Sequence, residues 1–369
     1  MIDLIAGARP NFMKIAPVIR AILHAREQGA DIRYRLIHTG QHYDHNMSGA
    51  FFKELQIPDP DINLGAGGGS QAEQAAAIMV GYEQVLMKER PSICVVVGDV
   101  TSTMACAITA QKLHVPVAHI EGGIRSGDWT MPEEINRLVT DSISNYFFTT
   151  SETANDNLRS SGVSDDRIFF VGNTMIDTLL SHRSAFRKPQ VWDQLGLQQG
   201  RYLVLTLHRP ANVDQESQLK DLLLEILHHA RGLPCVFPVH PRTAAVLDRL
   251  DIHHPALHRI PPLGYLEFNY LVERSMAVIT DSGGITEETT VMGVPCMTLR
   301  QNTERPETIS MGTNELLGTD PQAIGPAMDK LFAGQWKKGA IPPLWDGRTA
   351  ERIVNHLLQL MNDKKAVHP

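Results

Sequence analysis

The sequence predicts an α/β protein made of two halves, each built around its own parallel β-sheet. Short apolar runs alternate with longer segments of helical character, this alternation stops once near residue 180, and it then resumes in the second half. Strands that alternate with helices indicate βαβ units with parallel strands and right-handed crossovers. With 369 residues, the chain is also long enough for two domains.

The first half contains five apolar runs of strand length. We expect strands at residues 2–6, 34–39, 92–97, 115–120 and 145–149, with helices ending near residue 25 and spanning 71–88 and 102–113. Most of the run 92–97 is continuously apolar, which is typical of a strand buried on both faces. These elements predict a Rossmann-like domain over residues 1–180.

Residues 181–200 form a polar, glutamine-rich break, after which the same pattern begins again. We expect strands at residues 201–207, 234–239, 276–280 and 295–299, and a helix at 218–230. These elements predict a second Rossmann-like domain over residues 181–348. The segment 349–369 contains a last helix, about 349–362, which we expect to pack back on the first domain. Two such sheets facing each other would place the carboxyl ends of their strands on a shared cleft, the usual ligand site.

The segment 275–290 is the most informative stretch of the chain. It predicts a buried strand, a tight small-residue turn at 281–284 and a helix over about 285–293. The free N–H groups at the start of such a helix attract anions, and glycines let a phosphate approach the backbone. Glu287 and Glu288 would supply acceptors for hydroxyl groups. The pattern therefore favours a nucleotide-sugar site, although an ordinary strand–turn–helix with a good N-terminus has the same sequence features.

Composition excludes several classes of protein. Hydrophobic residues make up 43% and charged residues 20% of the chain, as in ordinary soluble proteins. The net charge of -7 argues against a general nucleic-acid surface. No apolar run approaches the length of a membrane span and no secretory signal pattern is present, so we expect a cytoplasmic enzyme. The four cysteines are scattered, and we expect Cys94, Cys235 and Cys296 to be reduced core residues.

Several charged residues follow predicted strands, where active-site loops of parallel sheets are found. They comprise three carboxylates and several cations: Asp99, Glu121, Glu133, Arg9, Lys14, Arg125, His208 and Arg209. Each has a structural alternative. Asp99 could cap the helix that follows it, and Glu133 could stabilise a helix N-terminus after Pro132. Arg9 could brace the first turn and His208 could be a structural histidine, but their common position at strand ends favours one functional site.

The sequence lacks the motifs of several other enzyme classes and of metal sites. The chain has no Gly-x-Ser-x-Gly nucleophile elbow, no His-Glu-x-x-His zinc motif, no Walker A motif and no Gly-x-Gly-x-x-Gly dinucleotide fingerprint. The adjacent pairs His228-His229 and His253-His254 lack the spacing of helical metal ligands. We therefore expect neither a metal ion nor a cofactor.

Eight motifs in order along about 300 residues resemble one family, the non-hydrolysing UDP-N-acetylglucosamine 2-epimerases. They are Gly7-Ala-Arg-Pro-Asn-Phe-Met-Lys-Ile-Ala-Pro17, Gly98-Asp-Val-Thr-Ser-Thr103, His119-Ile-Glu-Gly-Gly-Ile-Arg125, Pro132-Glu-Glu-Ile-Asn-Arg137, Gly172-Asn-Thr-Met-Ile-Asp177, Thr206-Leu-His-Arg-Pro-Ala-Asn212, Asp281-Ser-Gly-Gly-Ile-Thr-Glu-Glu288 and Thr303-Glu-Arg-Pro-Glu307. The resemblance implies a GT-B fold, in which two Rossmann-like domains face a deep cleft, and a homodimer. It also implies loss of the sugar C2 proton coupled to anti elimination of UDP, a bound 2-acetamidoglucal, and re-addition of UDP after proton delivery to the opposite face.

Carried over motif by motif, the resemblance assigns roles to particular residues. Asp99, Glu121 and Glu133 are the acid/base candidates, without an assignment of which one acts in which direction. His208 is grouped with them as a catalytic residue that stabilises the diphosphate or sugar. The substrate-binding candidates are Arg9, Lys14, Arg125, His240, Ser282, Gly283, Gly284, Glu288 for the ribose diol, and Arg305 as a cation that closes the cleft.

Two departures from the family pattern leave alternatives open. Many bacterial members bind an activating second substrate through a Gln-His-Arg segment and an Arg-Arg-Glu run, but here Gln41–His45 reads Gln-His-Tyr-Asp-His and His208 is followed by Arg-Pro-Ala. Relatives acting on UDP-diacetamido-glucuronic acid share most motifs, and Arg125 or His45 are possible cations for its carboxylate. A hydrolysing 2-epimerase, a GT-B glycosyltransferase and a non-catalytic nucleotide-sugar-binding protein are the remaining alternatives.

Overall fold

The computed structural model describes residues 1–40, 54–239 and 241–367, and the chain divides into two compact units. The first unit comprises Met1–Ser181 and Pro343–Pro369, and the second comprises His182–Pro342. The chain thus returns to the first unit at Pro343, ahead of its last helix.

A parallel sheet of seven strands forms the centre of the first unit. The strands are β1 (Ile2–Ala6), β2 (Tyr34–His38), β3 (Ile62–Asn63), β4 (Ile93–Val97), β5 (Val117–Ile120), β6 (Tyr146–Thr149) and β7 (Ile168–Phe170). Their order across the sheet is β3-β2-β1-β4-β5-β6-β7, with Ile2 opposite Tyr34 and Leu4 opposite Val95. Every residue of β1 and β4 is buried, which explains why these strands are continuously apolar apart from Asp3.

A parallel sheet of six strands forms the centre of the second unit. The strands are β8 (Leu203–Thr206), β9 (Cys235–Pro238), β10 (Leu257–Ile260), β11 (Ala277–Thr280), β12 (Cys296–Thr298) and β13 (Asn314–Leu316), in the order β10-β9-β8-β11-β12-β13. Alternate residues of β8 belong to different hydrophobic clusters: Leu203 and Leu205 pack in one, and Val204 packs in the other. Both faces of this sheet are therefore covered, as a parallel sheet requires.

Helices connect the strands of each unit. They are α1 (Arg9–Glu27), α2 (Gln71–Lys88), α3 (Thr101–Lys112), α4 (Pro132–Ile143), α5 (Glu152–Ser160), α6 (Thr174–His182), α7 (Gln190–Gln194), α8 (Pro210–Val213), α9 (Glu216–His229), α10 (Pro241–Leu250), α11 (Tyr265–Arg274), α12 (Gly283–Met292), α13 (Pro306–Ser310), α14 (Ile324–Phe332) and α15 (Thr349–Val367). Within the described ranges, no helix has the length and apolar character that crossing a bilayer requires.

The last helix is fixed to the first unit at its N-terminus. Asp177 of α6 accepts hydrogen bonds from the backbone N–H groups of Thr349 (3.1 Å) and Ala350 (2.7 Å), two of the groups that a helix leaves without an internal partner. Trp345, which is buried, donates from Nε1 to the carbonyl of Thr150 at 3.0 Å. These contacts, together with packing of α15 on α1, hold the end of the chain on the first unit.

The α/β class and all nine strands expected from the sequence are confirmed. The four strands that the sequence did not predict, β3, β7, β10 and β13, lie at the edges of the two sheets. Edge strands are paired on one side only and need no continuous apolar run, so their sequences give a weak signal. The four cysteines are buried free thiols, as expected for the three that were assigned to the core.

The helix after β11 begins earlier than the sequence predicts. The helix after β11 begins at Gly283, two residues before the expected start at Ile285, and Ser282 is its N-cap. Ser282 has extended backbone angles (φ -89°, ψ 129°), so the chain turns there without requiring a glycine in a left-handed conformation. Gly283 and Gly284 consequently form the first turn of α12.

Candidate active site

The turns after β1, β4 and β5 bring functional side chains together in the first unit. Asn11 fixes this arrangement, because its Oδ1 accepts from the N–H of Ala8 (3.0 Å) while its Nδ2 donates to the carbonyl of Val97 (2.9 Å). One turn further along α1, Lys14 reaches the residue that follows β5 and donates from Nζ to Glu121 Oε2 at 2.6 Å. Both side chains are buried, so each charge has its counterion in a region that water hardly reaches.

Backbone conformation makes this close approach possible. Glu121 has φ +71°, a left-handed conformation that is uncommon for a residue with a side chain. Gly98 has φ +69°, and a methyl group added to it would lie 3.2 Å from Lys14 Nζ. Glycine adopts this conformation readily, whereas a left-handed glutamate is strained, and such strain is often found at functional sites.

Asp99 is held by a residue that the sequence did not single out. Arg137 of α4 donates to Asp99 Oδ2 from Nε (3.1 Å) and Nη2 (2.8 Å), and Asn136 donates to the backbone carbonyl of Asp99 at 2.9 Å. The Asp99 side chain remains 29% exposed. Val100 rather than Asp99 is the N-cap of α3, so the capping role considered for Asp99 does not apply.

Two neighbouring glutamates on α4 have different environments. Glu134 is buried and accepts from the N–H groups of Ser126 (2.9 Å) and Gly127 (3.0 Å), and Arg137 also donates to it. Burial acts to raise the pKa of Glu134, but these backbone hydrogen bonds and Arg137 outweigh it and lower the pKa overall. Glu133 is half-buried, and its side chain has no hydrogen bond or ion pair with any residue that the structure describes. Of this pair, Glu134 is a structural brace and Glu133 is available to a ligand.

A third acidic group on α4 organises the loop after β5. Asp141 is buried and contacts His119 Nδ1 (2.7 Å), the N–H of Gly123 (2.9 Å) and Arg125 Nη1 (2.5 Å). Burial acts to raise the pKa of Asp141, but His119 and Arg125 lower it overall. The other ring nitrogen of His119 lies 2.8 Å from the carbonyl of Gly98. The His119 ring therefore links the buried Asp141 of α4 to the turn after β4.

In the second unit, His208 is oriented by a buried carboxylate that follows β11. Asp281 Oδ1 lies 2.9 Å from His208 Nδ1, and Asp281 Oδ2 accepts from the N–H groups of His208 (3.0 Å) and Arg209 (2.9 Å) and from Asn212 (3.1 Å). Burial acts to raise the pKa of Asp281, but His208 and the other donors lower it overall. The His208 side chain is 56% exposed, so Asp281 fixes Nδ1 while the rest of the ring faces solvent.

The N-terminus of α12 lies beside this pair. The Ser282 side chain makes no capping hydrogen bond, and its N–H donates to Thr280 Oγ1 at 3.0 Å. Gly283 is in close contact with the carboxylate of Glu304, because a methyl group added there would lie 2.4 Å from Glu304 Oε1. The helix therefore presents its positive end next to groups that follow β8 and β12.

Glu288, expected to bind a ribose diol, lies in the second turn of α12. It is buried and accepts a hydrogen bond from Tyr265 at 2.8 Å. Burial raises the pKa of Glu288 to about 7, although the Tyr265 hydrogen bond acts in the opposite direction. Its neighbour Glu287 forms an ion pair with Arg305 at 2.5 Å, in which both side chains are buried.

The remaining residues expected to bind the substrate include Arg9, Arg305 and His240. Arg9 is exposed at the first position of α1, and Asn11 braces the turn before this helix. Arg305, expected to close a cleft, is buried and forms an ion pair with Glu287. His240 and the segment Gln41–His45 lie outside the described residues. Within those residues, no group of three or more His, Cys, Asp or Glu side chains is arranged to hold a metal ion.

The residues missed by sequence reasoning are mostly partners of the ones it found. Arg137 and Asp141 lie within α4 and not at a strand end, whereas Asp281 directly follows β11 but was assigned only to a turn. Their signal was available for α4, where Glu134, Arg137 and Asp141 are spaced at helical intervals along one face and are all buried. A charged face on a helix that must pack on a sheet indicates a polar network.

Comparison with known proteins identifies close relatives over nearly the whole chain. A family model described as UDP-N-acetylglucosamine 2-epimerase matches residues 24–358. UDP-N-acetylglucosamine 2-epimerase of Methanocaldococcus jannaschii is 38% identical, with coverage of 96% of this chain and 98% of the relative. UDP-2,3-diacetamido-2,3-dideoxy-D-glucuronate 2-epimerase of Pseudomonas aeruginosa is 40% identical, with coverage of 85% and 87%.

Solved structures give the same result for the fold. The crystal structure of the M. jannaschii UDP-GlcNAc 2-epimerase in complex with UDP-GlcNAc and UDP superposes with a TM-score of 0.86 at 38% identity, covering 97% of this chain and 99% of that chain. The predicted fold class, a GT-B protein with two Rossmann-like units and parallel sheets, is confirmed.

Proposed function

Because the chain belongs to the UDP-N-acetylglucosamine 2-epimerase family, we propose that it interconverts UDP-N-acetylglucosamine and UDP-N-acetylmannosamine without hydrolysing them. The observation that carries this proposal is the pairing of carboxylates with cations at neighbouring strand ends. Asp99 and Glu121 follow the adjacent strands β4 and β5, and they are held by Arg137 and Lys14 respectively. The cations fix the position of each carboxylate, and a carboxylate held at a strand end can act as an acid or a base for a substrate bound there.

The proposed chemistry begins with loss of the proton on C2 of the sugar. A carboxylate accepts this proton, the C2–H electron pair forms a double bond between C1 and C2, and the C1–O bond breaks so that its electron pair leaves with UDP. UDP then adds again to C1 of the 2-acetamidoglucal while an acid delivers a proton to the opposite face of C2. These reaction steps need acid/base groups on the two faces of C2, and Asp99, Glu121 and Glu133 are the candidates.

The leaving diphosphate requires positive groups, which both units contain. In the second unit the N-terminus of α12 is such a group, and the ring of His208, whose orientation is fixed by Asp281 at 2.9 Å, lies beside it. In the first unit they are Lys14 and the exposed Arg9. We assign UDP binding to the second unit, with Glu288 as the acceptor for the ribose diol, and the sugar chemistry to the first unit.

A second candidate substrate is UDP-2,3-diacetamido-glucuronic acid, which is favoured by the 40% identity to the P. aeruginosa enzyme. The carboxylate at C6 of that sugar needs a further cation. Arg125, the one candidate within the described residues, is engaged by the buried Asp141 at 2.5 Å, and Asp141 would lose a counterion if Arg125 turned to a substrate. This pairing favours the neutral N-acetylhexosamine.

The proposal is tested by product analysis. Purified enzyme is incubated with UDP-N-acetylglucosamine and, separately, with the diacetamido-uronate, and the nucleotides and free sugars are resolved by ion-exchange chromatography. UDP-N-acetylmannosamine as the accumulating product is the expected result. Free N-acetylmannosamine with stoichiometric UDP would assign the enzyme to the hydrolysing class, and turnover of the uronate alone would change the substrate. The homodimer and the cytoplasmic location stay predictions.

A further inference from the structure

The positive end of α12 already faces an anion that belongs to the protein. Glu304 lies in the loop after β12, and its Oε1 would be 2.4 Å from a methyl group added to Gly283, the first residue of α12. Two guanidinium groups approach the same carboxylate. Arg300 Nη2 donates to Glu304 Oε2 at 2.6 Å, and Arg209 Nη2 lies 3.9 Å from Glu304 Oε1. A helix N-terminus with two guanidinium groups is an environment built for an anion.

Arg300 uses only part of its hydrogen-bonding capacity in this environment. The Arg300 and Glu304 side chains are 5% and 10% exposed. Arg300 Nη2 donates to Glu304 and Asn302, whereas Arg300 Nη1 is buried and has no hydrogen-bond partner among the described residues. A buried guanidinium N–H without an acceptor is costly, and such groups are rare in folded proteins.

The unsatisfied Nη1 group of Arg300 lies next to the N-terminus of α12. Arg300 Nη1 would lie 3.7 Å from a methyl group added to Gly283, so it lies beside the same helix end as the Glu304 carboxylate. An oxygen of a phosphate placed there would meet the guanidinium of Arg300 together with the N–H groups of the first turn of α12. Bidentate and charge-assisted contacts of this kind are the usual way in which arginine binds phosphate.

We propose that Arg300 is a further diphosphate-binding residue, which donates from Nη1 to a phosphate oxygen of the UDP-sugar, and that Glu304 competes with this phosphate for Arg300 and for the helix end. This inference rests on the proposed function, since it takes the diphosphate to be the ligand of α12. Glu304 then has two effects. It orients the guanidinium through Nη2 in the absence of substrate, and its negative charge weakens the binding of a second anion beside it.

The two residues therefore make opposite predictions for the affinity of UDP. Arg300→Lys keeps a positive charge beside Glu304 but loses the forked donor set, and it is expected to weaken UDP binding about tenfold or more. Glu304→Gln keeps an acceptor for Arg300 but removes the competing charge, and it is expected to tighten UDP binding severalfold. Neither change is expected to alter the affinity for uridine, which has the base and the ribose but no diphosphate.

Titrations of the full-length protein with UDP and with uridine, at one ionic strength, test this inference. Calorimetry serves for UDP and ligand-observed NMR for uridine, and Arg249→Lys, at the exposed ion pair with Glu216, is the matched control for changing an arginine in the same unit. Arg300→Lys with wild-type UDP affinity, or with equal losses for UDP and uridine, would overturn the inference. If Arg300→Lys does not fold, Glu304→Gln provides the test. A ratio of UDP affinity to uridine affinity equal to or lower than that of wild type would contradict the inference. A wild-type protein that binds neither compound would instead refute the proposed function.

Discussion

Lys14 Nζ lies 2.6 Å from Glu121 Oε2, and the two side chains are only 10% and 3% exposed. The pair joins the first helix of the chain to the residue that follows β5, so it contributes both to the fold and to the charge of the candidate active site. Removal of one partner from such a pair leaves an uncompensated buried charge, which typically costs about 3–5 kcal/mol.

We predict that Lys14→Met lowers the free energy of unfolding by about 3 kcal/mol or more at pH 8. The loss should shrink at lower pH, because Glu121 without its counterion can take up a proton. Urea denaturation of the variant and of Lys14→Met/Glu121→Gln measures both effects, and the double variant should regain part of the loss. Equal stabilities of wild type and Lys14→Met would show that the pair contributes nothing to the fold.

The neighbouring residues Glu133 and Glu134 give a matched pair of substitutions. Glu133 is half-buried and makes no side-chain hydrogen bond or ion pair within the described part of the chain, whereas Glu134 holds the N–H groups of Ser126 and Gly127. Glu133→Gln should therefore abolish most of the turnover and leave the melting temperature near that of wild type. Glu134→Gln should lower the free energy of unfolding by about 1–3 kcal/mol, since charged acceptors make the stronger hydrogen bonds.

Kinetic assays and thermal melts of both variants check this difference. A Glu133→Gln variant with near-normal turnover would remove Glu133 from the mechanism. A loss of stability for Glu133→Gln equal to that for Glu134→Gln would show that the two carboxylates are both structural.

Asp99→Asn separates chemistry from nucleotide binding. The asparagine keeps an oxygen that accepts from Arg137, so the local structure should persist, but it cannot exchange a proton with the sugar. We expect kcat to fall by a factor of about 100 or more, as is typical when an acid/base group is lost, while UDP affinity stays within about threefold of wild type. Turnover close to normal would exclude Asp99 as an acid or base.

Glu288 should make stability depend on pH in a specific window. Its pKa in the folded protein is raised by burial from 4.5 to about 7, so the folded state holds the proton more tightly than the unfolded state does between these values. The free energy of unfolding of the wild type should then fall as the pH rises from about 4.5 to about 7. Glu288→Gln does not titrate, and its stability relative to wild type should increase across this window by an amount on the order of 3 kcal/mol.

Chemical denaturation of wild type and Glu288→Gln at pH 4.5, 6 and 8 measures this difference. UDP titrations of the same proteins at pH 8 provide the functional control, since a ribose ligand lost to glutamine should weaken binding. A stability difference that does not vary with pH would contradict the raised pKa, and unchanged UDP affinity would reject the ribose assignment.

The features that could be predicted from the sequence are those that depend on the burial or the position of single residues. Buried strands such as β4 and β11 need apolar side chains on both faces, so they were recognisable, whereas edge strands such as β7 and β13 did not need them. Charged residues directly after strands were likewise recognisable. Their partners were not, because the contact of Asp281 with His208 depends on β8 and β11 being neighbours in the sheet, a fact that local sequence does not contain.

The hydrogen-bond network around α4 also could not be predicted from local sequence. Arg137 was visible within a motif, but its link to Asp99 at 2.8 Å depends on how α4 packs beside the turn after β4. The environments of Glu133 and Glu134 are also distinguished only by the loop at 126–127, whose N–H groups point at one of them. The sequence assigned a catalytic role to Glu133 alone, and the structural role of Glu134 became visible only in the fold.

Proton NMR of the sugar during incubation of the enzyme with UDP-N-acetylglucosamine in D2O tests the central claim most directly. The proposed mechanism predicts that the proton on C2 exchanges with solvent, so UDP-N-acetylmannosamine should carry deuterium at C2 and little free UDP should accumulate. Epimerised product that retains the original C2 proton would contradict proton removal at C2. Release of UDP with free N-acetylmannosamine would contradict the non-hydrolysing reaction.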